Sequence, residues 1–235
     1  MCAEFIDNIF YNKYCRYIDA REFNGKVSNY KGKFSLFHVN IRSLSANFDT
    51  LVDFLSTLKI KFSLICLTET KLEDYSDKLF QISGYSHYSI YRNSHGGGIR
   101  LYYLKSISIS IALEYSGVFD MCEVLSAKVF LDDGDTLSIC CIYRPPSNSK
   151  TKFAEFIKDY IKSGFLSSRN SVIVGDLNMD LRSGLRSNIE FYNYLISESF
   201  RILITVPTFI NKNVPLTILD QICIKSSLFA DSFVF

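Results

Sequence analysis

A chain of 235 residues with 48% hydrophobic and 21% charged side chains has the composition of one large globular domain, which excludes a disordered or low-complexity protein. A net charge of +2 excludes the strongly basic footprint that would argue for nucleic-acid binding on charge alone. The seven cysteines form no C-x-x-C pair and sit mostly in apolar runs, and no stretch approaches the ~18 apolar residues of a membrane span; these features predict a reducing compartment without disulfides, zinc or membrane insertion.

Residues 1–33 lack the apolar core of a signal peptide and read as a partly ordered leader, with the domain proper over 34–235. FSLFHVN (34–40) is the first predicted strand, with Phe34, Leu36, His38 and Asn40 on one face. A helix follows near 46–59, where Phe48, Leu51, Val52, Leu55 and Leu58 recur at helical spacing. Strand 62–68 completes a βαβ unit. Strands follow within 84–113, broken by the glycine-rich SHGGG, and 123–131 with 136–143 reads as a hairpin about DDGD. A helix over 150–163 turns Phe153, Phe156, Ile157, Tyr160 and Ile161 inward, and then come a strand from 171, a helix near 187–199 and a last strand over 216–224. Many of these strands are apolar on both faces, which predicts an α/β fold: a two-sheet β-sandwich flanked by helices in four layers.

Several strands end in polar residues. SVIVGDLNMD (171–180) passes from a buried run to Asp176, Asn178 and Asp180, which extended chain would place on one face. A turn explains any one such cluster. Strand ends at Asn40, Glu69 and Tyr143, and Asp220 inside an apolar run, repeat the habit. Buried carboxylates are costly unless paired or bound to a cation. If the ends converge, their oxygen ligands favour Mg²⁺ over zinc, and such a cation suits phosphodiester hydrolysis.

In order, N-I-R-S-L (40–44), L-T-E-T (67–70), G-G-G (96–98), Y-R-P-P (143–146), G-D-L-N-M-D (175–180) and P-T…L-D (207–220) resemble the endonuclease domain of non-LTR (LINE-type) retrotransposons. That domain belongs to the endonuclease/exonuclease/phosphatase superfamily, with AP endonucleases and deoxyribonuclease I. The resemblance covers roughly 34–224 and implies a Mg²⁺- or Mn²⁺-dependent endonuclease that nicks target DNA. It further implies a monomer with nuclear access, which a reverse transcriptase domain accompanies in the parent element. By the same resemblance, Glu69, Asn40 and Asp220 serve the metal, and Asp176 orients or deprotonates the attacking water. Tyr143 and Asn178 contact the phosphate, with Asn148 a weaker candidate for the same work.

The family pattern carries a further Ser-Asp-His motif on a strand after Asp220, and the sequence has no Asp-His dipeptide. The expectation is therefore a C-terminally truncated domain lacking its last strand, with an open edge beside LTILDQICI and slow or absent nicking. Of the three histidines, His38 shares a strand face with Asn40, which would allow it near the site, but it reads first as a structural residue at a strand end; His87 and His95 read as surface residues. Two other readings stand beside this one: a non-catalytic remnant, and another phosphoesterase of the same fold.

Overall fold

The computed structural model describes residues 15–92, 96–211, 214–225 and 230–235. Its strands are β1 (Cys15–Tyr17), β2 (Leu36–Asn40), β3 (Leu64–Thr68), β4 (Tyr85–Ile90), β5 (Ile99–Leu104), β6 (Ser108–Ile111), β7 (Gly117–Val118), β8 (Glu123–Phe130), β9 (Thr136–Tyr143), β10 (Ser171–Asp176), β11 (Arg201–Ile202), β12 (Phe209–Asn211), β13 (Val214–Thr217), β14 (Asp220–Lys225) and β15 (Ser232–Val234). The helices are α1 (Ala20–Lys26), α2 (Leu44–Thr57), α3 (Lys150–Lys162) and α4 (Arg186–Ser197). None of the described helices is long and apolar enough to cross a membrane.

Two sheets face each other. The smaller runs β2-β3-β5-β4, and the larger runs β11-β14-β10-β9-β8-β6 with β7 also beside β8. Period-two alternation distributes each strand between two cores. On β3, Leu64 and Cys66 enter the core between the sheets, where they join Leu125, Ile139, Cys141, Val172 and Val174. Ile65 and Leu67 point the other way, onto Leu44 and Leu51 of α2 and Phe23 of α1. On the larger sheet Ile142, Ile173 and Cys223 meet Phe153, Ile157, Phe191 and Leu195 of α3 and α4. The result is the four-layer sandwich that doubly apolar strands require.

The structure departs from expectation near the C-terminus. The predicted strand over 216–224 is two strands broken at 218–219. Here Asp180 Oδ1 accepts the Ile218 amide (3.0 Å), while Thr208 Oγ1 accepts the amides of Leu219 and Asp220 (3.1 Å each). Side-chain acceptors thus satisfy amides that a continuous ladder would have used. The expected open edge beside β14 is also corrected: β11 pairs with β14 antiparallel, and the Leu203 amide extends that edge to the Ile222 carbonyl at 2.9 Å. At the other end, β15 pairs parallel with β1.

Candidate active site

Sheet register brings three of the predicted residues together. β10 ends at Asp176, whose antiparallel partner is Asp220 at the start of β14 and whose parallel partner is Tyr143 at the end of β9. The facing sheet contributes Asn40, the last residue of β2, and Glu69, one residue beyond β3. Asn40 joins the two halves. Its Nδ2 donates to Glu69 Oε1 at 2.8 Å and to Asp176 Oδ2 at 2.7 Å. The Tyr143 phenol lies near enough to feel the charges of both Glu69 and Asp176. Asn178 lies against the same carboxylate, its amide donating to Asp176 Oδ1 at 3.1 Å. Of the predicted set, Asn40, Glu69, Asp176 and Asn178 are therefore linked by hydrogen bonds, and Tyr143 and Asp220 join through strand pairing with Asp176.

The site concentrates negative charge in a desolvated place. Burial first, and the Asp220 carboxylate second, push Asp176 up to about 6, although the hydrogen bond from Asn40 opposes them. Burial likewise pushes Asp220 up to about 6. The Tyr143 phenol rises through burial and the neighbouring charges of Glu69 and Asp176, so it stays protonated and can donate. His38 also belongs here. Its Nδ1 lies 3.7 Å from Asp220 Oδ1, and its Nε2 lies 3.3 Å from Thr68 Oγ1. Burial pushes this imidazole down to about 4, so near neutral pH the contact with Asp220 is dipolar and not an ion pair.

The donor set fits a hard cation. Asp220 Oδ1 is buried and makes no hydrogen bond among the described residues, and an uncompensated buried carboxylate oxygen is expensive. No cluster of three or more His, Cys, Asp and Glu side chains forms a complete metal cage among the described residues. Mg²⁺ needs no such cage, because it keeps several waters and uses one or two carboxylates.

Other predicted residues have different jobs. Both bonds from Asn148 Nδ2 go to the backbone carbonyls of Asp120 and Met121, at 3.1 Å each, so its amide is committed to anchoring a loop. Asp180 does not share a face with Asp176 and Asn178. Asn178 adopts a left-handed backbone (φ 48) that ends the extended alternation, and Asp180 instead caps the amides of Arg182 and Ile218. His87 on β4 rests against the Tyr102 ring, and His95 lies outside the described residues.

Sequence reasoning missed three supports. Arg144 is fully buried and donates to four carbonyls, those of Leu177, Asn178, Pro145 and Asn148. It therefore ties the loop after β9 to the loop after β10 that carries Asn178. Thr208 sets the start of β14 by accepting the amides of Leu219 and Asp220. Glu123, at the start of β8, is a 1%-exposed carboxylate beside the site. Arg144 was visible within Y-R-P-P, but Glu123 resembled only the polar first residue of an apolar strand.

The comparisons with known proteins agree with this geometry. Among solved structures, the endonuclease domain of TRAS1, a telomere-specific non-LTR retrotransposon, superposes with a TM-score of 0.58 at 11% identity, covering 83% of this chain and 85% of that one. The AP endonuclease LMAP from Leishmania major gives 0.60 at 15% identity over 83% and 79% of the two chains. The 3′ phosphatase NExo from Neisseria, bound to product DNA hairpin, gives 0.60 at 11% identity over 83% and 87%. These identities speak for the fold alone. A search of curated protein sequences finds no significant match. The family model for the Endonuclease/Exonuclease/phosphatase family matches residues 37–233, which span both sheets and every residue of the cluster. The convergence of polar strand ends from two facing sheets thus has a family behind it, and this chain belongs to the Endonuclease/Exonuclease/phosphatase family.

Proposed function

We propose that this chain is a divalent-metal-dependent phosphodiesterase that nicks DNA, the endonuclease module of a non-LTR retrotransposon-type protein. The observation that carries the reading is Asn40, whose single amide nitrogen holds Glu69 from one sheet and Asp176 from the other. Such a bridge fixes two carboxylates for one substrate atom, which is what positioned hydrolysis needs.

Each side chain has a role that its surroundings suit. Glu69 and Asp220 would hold Mg²⁺ or Mn²⁺, with the Asn40 amide beside them. The cation, when bound, polarises the phosphoryl oxygen and stabilises the leaving oxyanion. Asp176, raised to about 6, sits near the pKa at which a general base is effective at neutral pH, and would orient and deprotonate the attacking water. Tyr143 and the Asn178 side chain would donate to phosphate oxygens, the phenol because its raised pKa keeps its proton. The His38 imidazole, neutral near pH 7, supplies no positive charge to the developing phosphorane.

The motif resemblance and the DNA-processing neighbours support DNA as substrate, and the resemblance alone supports a reverse transcriptase in the same parent protein. Acting on chromosomal DNA would require nuclear access. The test is conversion of supercoiled plasmid to open circle in Mg²⁺, with Asp176→Ala as control, alongside release of a 3′-phosphate from a DNA end and turnover of inositol phosphates. Nicking by the wild type that Asp176→Ala abolishes supports the endonuclease reading. Turnover of inositol phosphates without nicking would replace it with another phosphoesterase, and no turnover of any substrate would leave a non-catalytic module.

A further inference from the structure

Glu69 occupies an awkward stretch of chain. It and Lys71 both have positive φ, 54 and 51. A non-glycine residue in such a region is strained and persists only where its surroundings over-determine it. The bend between them is gripped on two sides. On one, the amides of Ile41, Ser43 and Leu44 donate to the carbonyls of Thr68, Glu69 and Thr70, at 3.0, 2.8 and 2.9 Å. That side is continuous with β2 and α2. On the other, the amides of Thr70 and Lys71 donate to the carbonyls of Gly98 and Gly97, at 3.2 and 2.8 Å. This second grip comes from a glycine loop that precedes β5, and it needs a support of its own.

Glu123 supplies one. It opens β8 directly opposite Tyr143 in the antiparallel register. Its Oε2 accepts the Gly98 amide at 2.6 Å, and Arg92 Nη1 lies 3.7 Å from its Oε1. The glycines explain how a buried carboxylate reaches that position. Gly97 and Gly98 have φ of +73 and +88, and a Cβ would fall on the Glu123 carboxylate at the first and on Thr70 Oγ1 at the second. Thr70 Oγ1 and Glu123 Oε1, which flank this peptide, are buried side-chain oxygens without a hydrogen bond among the described residues. Burial pushes Glu123 up to about 7, a cost that an apolar residue at the start of β8 would avoid.

We propose that Glu123 is a positioning residue for Glu69: it pins the Gly97–Gly98 peptide against the Glu69–Lys71 bend, and this clamp sets the affinity of the site for its divalent cation. The inference rests on the reading of Glu69 as a metal-holding residue. Glu123 acts through the backbone of a neighbouring loop and needs no contact with substrate.

The experiment titrates Mn²⁺ into the full metal-free chain, following free Mn²⁺ by its electron paramagnetic resonance, and measures amide hydrogen exchange of 69–71 and 97–98 without metal. Glu123→Gln keeps an acceptor oxygen for the Gly98 amide, Glu123→Ala removes it, and Glu123→Met removes it while filling the volume should the alanine variant fail to fold. Residues that orient metal ligands typically cost about 10–100-fold in affinity when removed. That loss is expected for the alanine and methionine variants, together with faster exchange at Gly98, Thr70 and Lys71, while the glutamine variant stays close to wild type. Unchanged Mn²⁺ affinity and unchanged exchange in folded Ala or Met variants overturn the proposal. A wild-type chain that binds no Mn²⁺ overturns the metal reading beneath it, a result distinct from variants that match a binding wild type.

Discussion

The two sheets place their site residues by different means. In the larger sheet, position is a matter of register: Tyr143, Asp176 and Asp220 are paired neighbours across three adjacent strands. In the smaller sheet, Asn40 ends a strand, but Glu69 lies past one in left-handed backbone, held by loop-to-loop hydrogen bonds. The first arrangement is as rigid as the sheet and concentrates unfavourable charge. The second is strained and depends on a few residues far from the reacting atoms. The larger sheet should therefore trade stability for activity, and the smaller should lose metal binding when its loops are disturbed.

The largest effect is expected on the register side. Asp176→Asn removes the proposed base while leaving an oxygen to accept from Asn40, and general-base losses are on the order of 10²–10⁴ in rate. The same substitution removes a buried charge beside Asp220, so the metal-free variant should melt above wild type at pH 7.5. Plasmid nicking and thermal unfolding of one preparation check both signs. A variant that loses activity and stability together would break the comparison.

On the loop side, Gly98→Ala forces a Cβ onto Thr70 Oγ1 at φ +88, where left-handed backbone costs an L-residue roughly 1–2 kcal/mol before any clash. Melting should fall by about 2–4 °C for each kcal/mol lost in a domain of this size, and the Mg²⁺ concentration needed for half-maximal nicking should rise. Nicking kinetics at graded Mg²⁺ separate this from a pure loss of stability, which lowers the folded fraction without moving the midpoint.

The pH dependence of stability sharpens the same contrast. Asp176 and Asp220 move from an ordinary 3.8 up to about 6, and Glu123 from 4.5 up to about 7. A raised carboxyl pKa means that the native state binds protons the unfolded chain has released. These groups' contribution is thus complete below the unfolded values and is lost as pH rises through about 6 to 7. Metal-free protein should lose melting temperature between pH 5 and 7.5, Asp176→Asn should flatten the slope, and Mg²⁺ should restore stability at the upper end.

The smallest effect is predicted for Asn148→Ala. It removes two bonds to the carbonyls of Asp120 and Met121, worth about 1 kcal/mol each, and the nicking rate of the folded protein should not change. A tenfold loss of rate would restore Asn148 as a phosphate contact.

What could be read from the sequence follows the same division. The strands, the two-sheet sandwich and the polar strand ends were legible because period-two patterns and register are local signals repeated along the chain. The break at 218–219 was not, because Asp180 and Thr208 satisfy those amides from distant segments. Asp180 looked like a third member of the cluster because extended alternation was carried past Asn178, where the backbone turns left-handed. His38 was assigned a structural role. Its place on the Asn40 face allowed it near the site, and it lies 3.7 Å from Asp220, a contact that depends on how the sheets stack. Glu123 was invisible for a related reason: its meaning lies in a loop 25 residues away.

The proposed function makes Glu69 and Asp176, from different sheets, one unit joined through Asn40. The most direct measurement is a double-mutant cycle on single-turnover plasmid nicking in Mg²⁺, with Glu69→Gln, Asp176→Asn and the pair. Groups that act as a unit are strongly non-additive. The double variant should be scarcely slower than the worse single variant. Rate losses that multiply would show two independent sites and contradict it.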